Sequence, residues 1–222
     1  LRMAVELGRQ DPSGYDDLAV EFFESFAGTV EAVNRTDGRG LWDEEHGFYF
    51  DHINVDGKRT PLRIWSMVGL IPFFAVHVLE RRWLEHLPRL QARVDAYLKD
   101  RPHIDFPADR RSRDRGDRAI LAVPSREQLV RVLTHLLDES SLLAPTGVRS
   151  LSRRHRLEPF ILRAPGGDYR AEYAPDDSRT RAFGINSNWR GPVWFPLNYL
   201  LVEALYRYHD FYGDTLRIEC PT

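Results

Sequence analysis

Apolar residues recur at helical spacing along most of the chain, so the pattern predicts a mainly helical protein. Between Tyr15 and Asn34 the apolar positions are Leu18, Ala19, Phe22, Phe23, Phe26, Ala27, Val30 and Val33. They form a stripe wide enough to bury one whole helix face. Gly38 and Gly40 mark its end. A second helix is predicted from about Pro72 to Trp83. A third starts at Pro88, a favoured first-turn residue, and turns Leu90, Val94, Tyr97 and Leu98 inward. A fourth starts at Ser125, where Ser125 and Gln128 have capping-box spacing, with Leu129, Val130, Val132, Leu133, Leu136 and Leu137 on its apolar side. The fifth runs from about Gly191 to Phe211 with Trp194, Leu197, Leu201, Leu205 and Tyr208 in line, and Gly213 as its stop.

The segments between these helices are long and aromatic. Leu41 to Trp65 contains Trp42, Phe48, Tyr49 and Phe50 and ends in an alternation that predicts a short hairpin. Gly166 to Asn188 contains Tyr169, Tyr173 and Phe183. Antiparallel helices with long loops at one end predict an all-α array of helical hairpins with β-hairpins in its loops. Long ordered loops usually carry function. There is no exact internal repeat.

Size and charge narrow the field. The 222 residues suffice for one domain, residues 1–222, with a sizeable core. Leu1 to Leu7 reads as the tail of a helix and Thr222 follows no structural stop, so both ends are expected to be cuts through a larger domain, with the remainder of the same polypeptide as a partner. No apolar run approaches a membrane span of ~18 residues. A net charge of −2 gives no reason to expect nucleic acid. The dense basic stretch from Arg110 to Arg118 alternates with aspartates and reads as a solvated loop. Cys220 is the single cysteine, which excludes an intrachain disulfide and suits a reducing, cytoplasmic setting.

Two segments mix flat aromatics with short polar groups: Gly40 to Asp51, and Asn186 to Leu200. A pyranose offers apolar C–H faces and a rim of hydroxyls, so a sugar site needs both residue kinds converging in one concave place. The second segment leads into a helix, whose first turn presents free backbone N–H groups. Trp42, Trp189, Arg190 and Trp194 are the candidate ligand-contacting residues. Plainer roles compete: core packing for Trp194, and carbonyl capping or pairing with Asp43 for Arg190. Asp43, Glu44 and Glu45 could attract a divalent cation, but adjacent acids usually face water. The histidines, among them His46, His77, His86, His103, His135, His155 and His209, show no ligand-type pairing, so neither a metal nor a cofactor is expected.

The string NSNWRGPVWFPLNYLLVEALYRYHDFYGD (residues 186–214), with GLWDEEHGFYFD (40–51), SMVGLIPFFAV (66–76) and GVRSLSRRH (147–155), resembles glycoside hydrolase family 63. The similarity is to its bacterial branch of mannosylglycerate hydrolase-like enzymes and processing α-glucosidases. It covers essentially the whole chain, with four separated motifs in order. It implies part of an (α/α)6 barrel and inverting hydrolysis of an α-glucosyl or α-mannosyl linkage in an oligosaccharide or glycosylglycerate. Inversion requires two carboxyls roughly 6.5–9.5 Å apart. The resemblance places the acid before Leu1 and the base after Thr222, so neither maps onto these residues and the chain alone is expected to be inactive. What carries over is a sugar-binding wall: Trp189, Arg190 and Trp194, then Trp42, Asp43 and Tyr49. Trp65 departs from the family pattern, which has a basic residue and Ser directly before Val-Gly-Leu. The competing readings are a non-catalytic helical module for a glycan or protein, and an (α/α)-barrel epimerase or lyase, which would need a His base at the pocket.

Overall fold

The computed structural model describes residues 1–55, 57–99, 118–164, 166–175 and 193–220. The chain opens with α1 (Arg2–Gly8) and α2 (Pro12–Val33), then two small hairpins, β1 (Trp42–Asp43) with β2 (Phe48–Tyr49) and β3 (Asp51–Val55) with β4 (Lys58–Leu62). A 3-10 turn leads into α3 (Ile71–Phe74), β5 (Val76–Glu80), α4 (Arg81–Leu84) and α5 (Pro88–Lys99). Then come β6 (Arg118–Ala122), α6 (Arg126–Leu136), the hairpin β7 (Leu143–Ala144) with β8 (Gly147–Val148), the hairpin β9 (Phe160–Ala164) with β10 (Gly167–Ala171), and α7 (Phe195–Tyr212).

The all-α (α/α)6 barrel is therefore wrong. Among the described residues, seven α-helices share the fold with five antiparallel two-stranded sheets. The largest single departure is the helix expected from Pro72 to Trp83. It stops at Phe74, and Val76–Glu80 instead pairs antiparallel with Arg118–Ala122, Val76 opposite Ala122 and Glu80 opposite Arg118. This ribbon is covered on both sides. Val76, Val78 and Ile120 join one apolar cluster, while Leu79, Ala119 and Leu121 join another. A strand buried on both faces loses its alternation and reads like a buried helix segment.

Four of the predicted helices form close to where the pattern placed them. Asp11 caps α2 by accepting the Gly14 N–H, and Ala19, Phe23 and Ala27 are buried. In α5, Leu90, Val94, Tyr97 and Leu98 turn inward. Its first N–H groups, on Arg89 and Leu90, donate to the buried Asp16 carboxylate of α2, each at 3.0 Å. The Ser125–Gln128 capping box forms at the start of α6. In α7, Leu201, Ala204, Tyr208 and Phe211 are buried and Gly213 ends the helix at φ 54°. The hairpin expected before Trp65 is β3–β4.

The cores divide the labour. Helices α1, α2 and α5 enclose one cluster with Leu84 and Leu87. The other gathers Phe48, Met67, Leu70, Phe73, Leu129, Val132, Leu136, Leu142, Leu201 and Tyr208, and carries the candidate site on its edge.

Candidate functional site

The turn between β1 and β2 is clamped by one arginine. Gly47 adopts φ 63°, and a Cβ there would meet the Arg131 Nε at 2.3 Å, so the turn lies flat against that guanidinium. Arg131 of α6 donates to the Glu44 carbonyl at 2.6 Å and to the Glu44 carboxylate at 2.5 Å, and it lies 5.5 Å from the centre of the Trp42 ring. Trp42 donates its indole N–H to Glu44 at 2.6 Å. The exposed ion pair contributes little; the carbonyl bond and the stacking carry the clamp. Arg131→Ala is expected to cost about 1–2 kcal/mol in urea unfolding. A loss below about 0.5 kcal/mol, the ordinary surface value, would contradict the clamp.

Asp43 is half-buried and fully engaged. Its Oδ1 accepts the His46 backbone N–H at 3.0 Å and His46 Nδ1–H at 2.8 Å, and its Oδ2 accepts Arg63 Nε–H at 3.1 Å. Burial alone would raise the carboxyl, but these donors outweigh it and hold Asp43 below its ordinary range. Among the described residues Asp43 is held by Arg63 and His46; Arg190, weighed as its partner, lies outside them. Asp43, Glu45 and His46 could converge on a cation, with ligand atoms within 4.8 Å of one another. Arg63 already supplies positive charge there, at 3.1 Å from Asp43 and 3.9 Å from Glu45.

Trp65 is the centre that the sequence flagged only as an oddity. Its ring lies 4.5 Å from His135, 4.9 Å from Phe48, 5.3 Å from Phe50 and 6.0 Å from His46, with the Arg154 guanidinium 4.8 Å from its centre. The backbone is pinned as well. The Trp65 N–H donates to His155 Nε2 at 2.9 Å, and the Ser152 N–H donates to the Trp65 carbonyl at 2.8 Å. Because His155 accepts at Nε2, its proton sits on Nδ1, which donates to the Glu158 carbonyl at 2.9 Å. Burial lowers the affinity of both His135 and His155 for a second proton.

Residues 149–151 form a seam between distant segments. Ser66 bridges Leu151, the Met67 N–H donates to the Ser150 carbonyl at 2.9 Å, and Val193 bridges Arg149. Asn198 of α7 fixes the same place, accepting the Val148 N–H at 2.7 Å and donating to the Val148 and Trp194 carbonyls at 3.0 Å. Pieces of three motif segments, 40–51, 66–76 and 147–155, therefore meet at Trp65 or the residue after it, and the fourth joins the seam at residues 148 and 149.

The six expected sugar-binding residues divide accordingly. Trp42 and Asp43 lie together in β1, half-buried and internally bonded. Tyr49 is only 2% exposed: it packs edge-on to Trp42 at 4.9 Å, and its hydroxyl reaches Asn34 and Gln128 at 3.3 and 3.2 Å. Burial drives its phenol well above the ordinary range, and its ring packs within the apolar cluster. Trp194 is half-buried at the N-cap of α7. Trp189 and Arg190 lie outside the described residues. The pattern missed His46, Arg63, His135, Arg154 and His155 around Trp65. The last two lie in GVRSLSRRH, which entered only as part of the family resemblance.

No known protein-family profile matches the chain. It is similar to a Saccharomyces cerevisiae protein named Uncharacterized protein YMR196W, 37% identical over 237 aligned positions that span 100% of this chain and 22% of the yeast protein. The chain thus spans under a quarter of the length of that curated relative.

Proposed function

We propose that the chain forms the sugar-facing wall of an inverting glycoside hydrolase of the family 63 type, acting on an α-glucosyl or α-mannosyl linkage of an oligosaccharide or glycosylglycerate. The supporting observation is the seam at residues 149–151, where Ser66, next to Trp65, bridges Leu151 and Val193, next to Trp194, bridges Arg149, with Arg154 stacked on Trp65. In this reading the half-exposed rings of Trp65 and Trp194, with Trp189, take the C–H faces of a hexose. Arg63, Arg154, His46 and Arg190 take its hydroxyls. The reading rests on this wall and needs no helical toroid.

Asp43 is no general acid. A carboxylate held ionised by His46 and Arg63 has no proton to give at neutral pH. The family resemblance, not Asp43, would supply the acid and base, which it places outside these 222 residues, so in this reading the chain alone is expected to leave an aryl α-glucoside intact. Hydrolysis that Asp43→Asn abolishes would overturn that assignment. Among the described residues no helix is long and apolar enough to cross a membrane. The single cysteine supports a cytoplasmic setting.

Calorimetric titration with α-linked glucose and mannose disaccharides tests the wall. Saturable binding at about millimolar Kd is expected, weakened about tenfold in Trp189→Ala and in Arg190→Ala. Binding unaffected by either substitution, or none at all, would refute it.

A second reading, a protein-binding module, draws on α7. Phe195 (78% exposed), Tyr199 (57%), Val202 (50%) and Tyr206 (68%) form an outward apolar stripe. Self-association abolished by Tyr206→Glu, together with no sugar binding, would favour it.

A further inference from the structure

A groove between α1, β5 and α7 shares no residue with the Trp65 surface. Its volume is about 320 Å³, and Arg2, Phe74, His77, Tyr199, Glu203 and Arg207 line it together with smaller apolar side chains. That is room for a small organic molecule. Its charge is lopsided. Arg2 and Arg207 come from different helices, and Glu203 offsets one of them through an i,i+4 contact of 3.3 Å. The field of both guanidiniums reaches His77: burial first, then Arg207 and Arg2, push that imidazole down to about 4. His77 Nε2 is also shut away from solvent with no hydrogen-bond partner among the described residues.

We propose that this groove binds a phosphate group, free or carried as a monoester on a small organic molecule, between Arg2 and Arg207. Tetrahedral oxygens can accept from guanidiniums approaching from two elements at once. A lone carboxylate is satisfied by one fork, and Glu203 already offers Arg207 a carboxylate. The rings of Phe74 and Tyr199 provide apolar walls for the organic part of a monoester.

Calorimetric titration of the chain with inorganic phosphate and with phenyl phosphate tests the proposal, with acetate as the contrast. Saturable phosphate binding is expected, weakened about tenfold in Arg2→Gln and in Arg207→Gln and tightened in Glu203→Gln. These polar side chains lie at the groove rather than in the apolar clusters, so the variants are expected to fold, with unfolding midpoints as the check. Tighter binding of phenyl phosphate than of the free ion identifies a monoester; equal binding identifies the ion. Absence of saturable binding of both probes up to about 10 mM would overturn the proposal. So would affinity indifferent to both arginine substitutions, or acetate binding as tightly as phosphate.

Discussion

Replacing Gly69 with alanine is expected to remove about 3 kcal/mol of folding stability. The new Cβ would lie 2.2 Å from Phe48 Cε1 and 2.5 Å from the Tyr49 carbonyl oxygen. Neither neighbour can yield. Phe48 is fully buried among Trp65, Phe50 and His135, and the Tyr49 oxygen belongs to the backbone of β2. The cost is steric, arising where two segments touch: residues 66–70 pack onto residues 48–49 only because position 69 lacks a side chain. The same variant should therefore pull Trp65 out of register with His46 and Phe48 and weaken any sugar binding. Urea denaturation checks the stability loss. An unfolding free energy within about 0.5 kcal/mol of the parent would show that the contact is looser than described.

The second large effect is acid destabilisation. His77 is pushed down to about 4 by burial and by nearby arginines, and His135 and His155 are lowered by burial. A histidine depressed in the folded state stays neutral there, while the unfolded chain takes up protons once pH falls below about 6.5. Stability is then complete above that value and declines as pH falls toward 4. Each unit of separation is worth about 1.4 kcal/mol per histidine, reduced wherever water reaches the ring. For His155 the reason is geometric. A second proton would replace the Nε2 lone pair that the Trp65 N–H needs. Unfolding midpoints measured from pH 7.5 to 4.5 should fall, and the fall should be shallower in His77→Leu. A flat profile would contradict the buried, neutral state of these rings.

Legibility in the sequence followed how local the information was. Capping at Ser125, the inward faces of the helices beginning at Pro88 and Ser125, and the Gly213 stop are set within a turn or two of chain, so periodicity found them. The β5–β6 ribbon was invisible because its partners are about forty residues apart and both of its faces are apolar. The two-residue strands of β7–β8 are too short for alternation to register, and β10 is exposed at four of its five positions, so it shows none. At the site, aromatic density rightly drew attention to residues 40–51. It did not reveal that Tyr49 faces the core, because a two-residue strand between buried neighbours gives no clue to its direction. Trp65 stood out only as a departure from a family pattern. Its three histidine neighbours arrive from residues 46, 135 and 155, which only tertiary structure joins.

The wall itself is tested most directly through the chain's five tryptophans. Their indole N–H resonances can be followed while an α-linked disaccharide is titrated into the chain. The signals of Trp65, Trp189 and Trp194 should move together along one saturation curve. That of Trp83, packed against the α1–α2–α5 cluster, should stay fixed. If every indole stays still at saturating sugar, or Trp83 moves as far as Trp65, the surface beside the seam is no hexose wall.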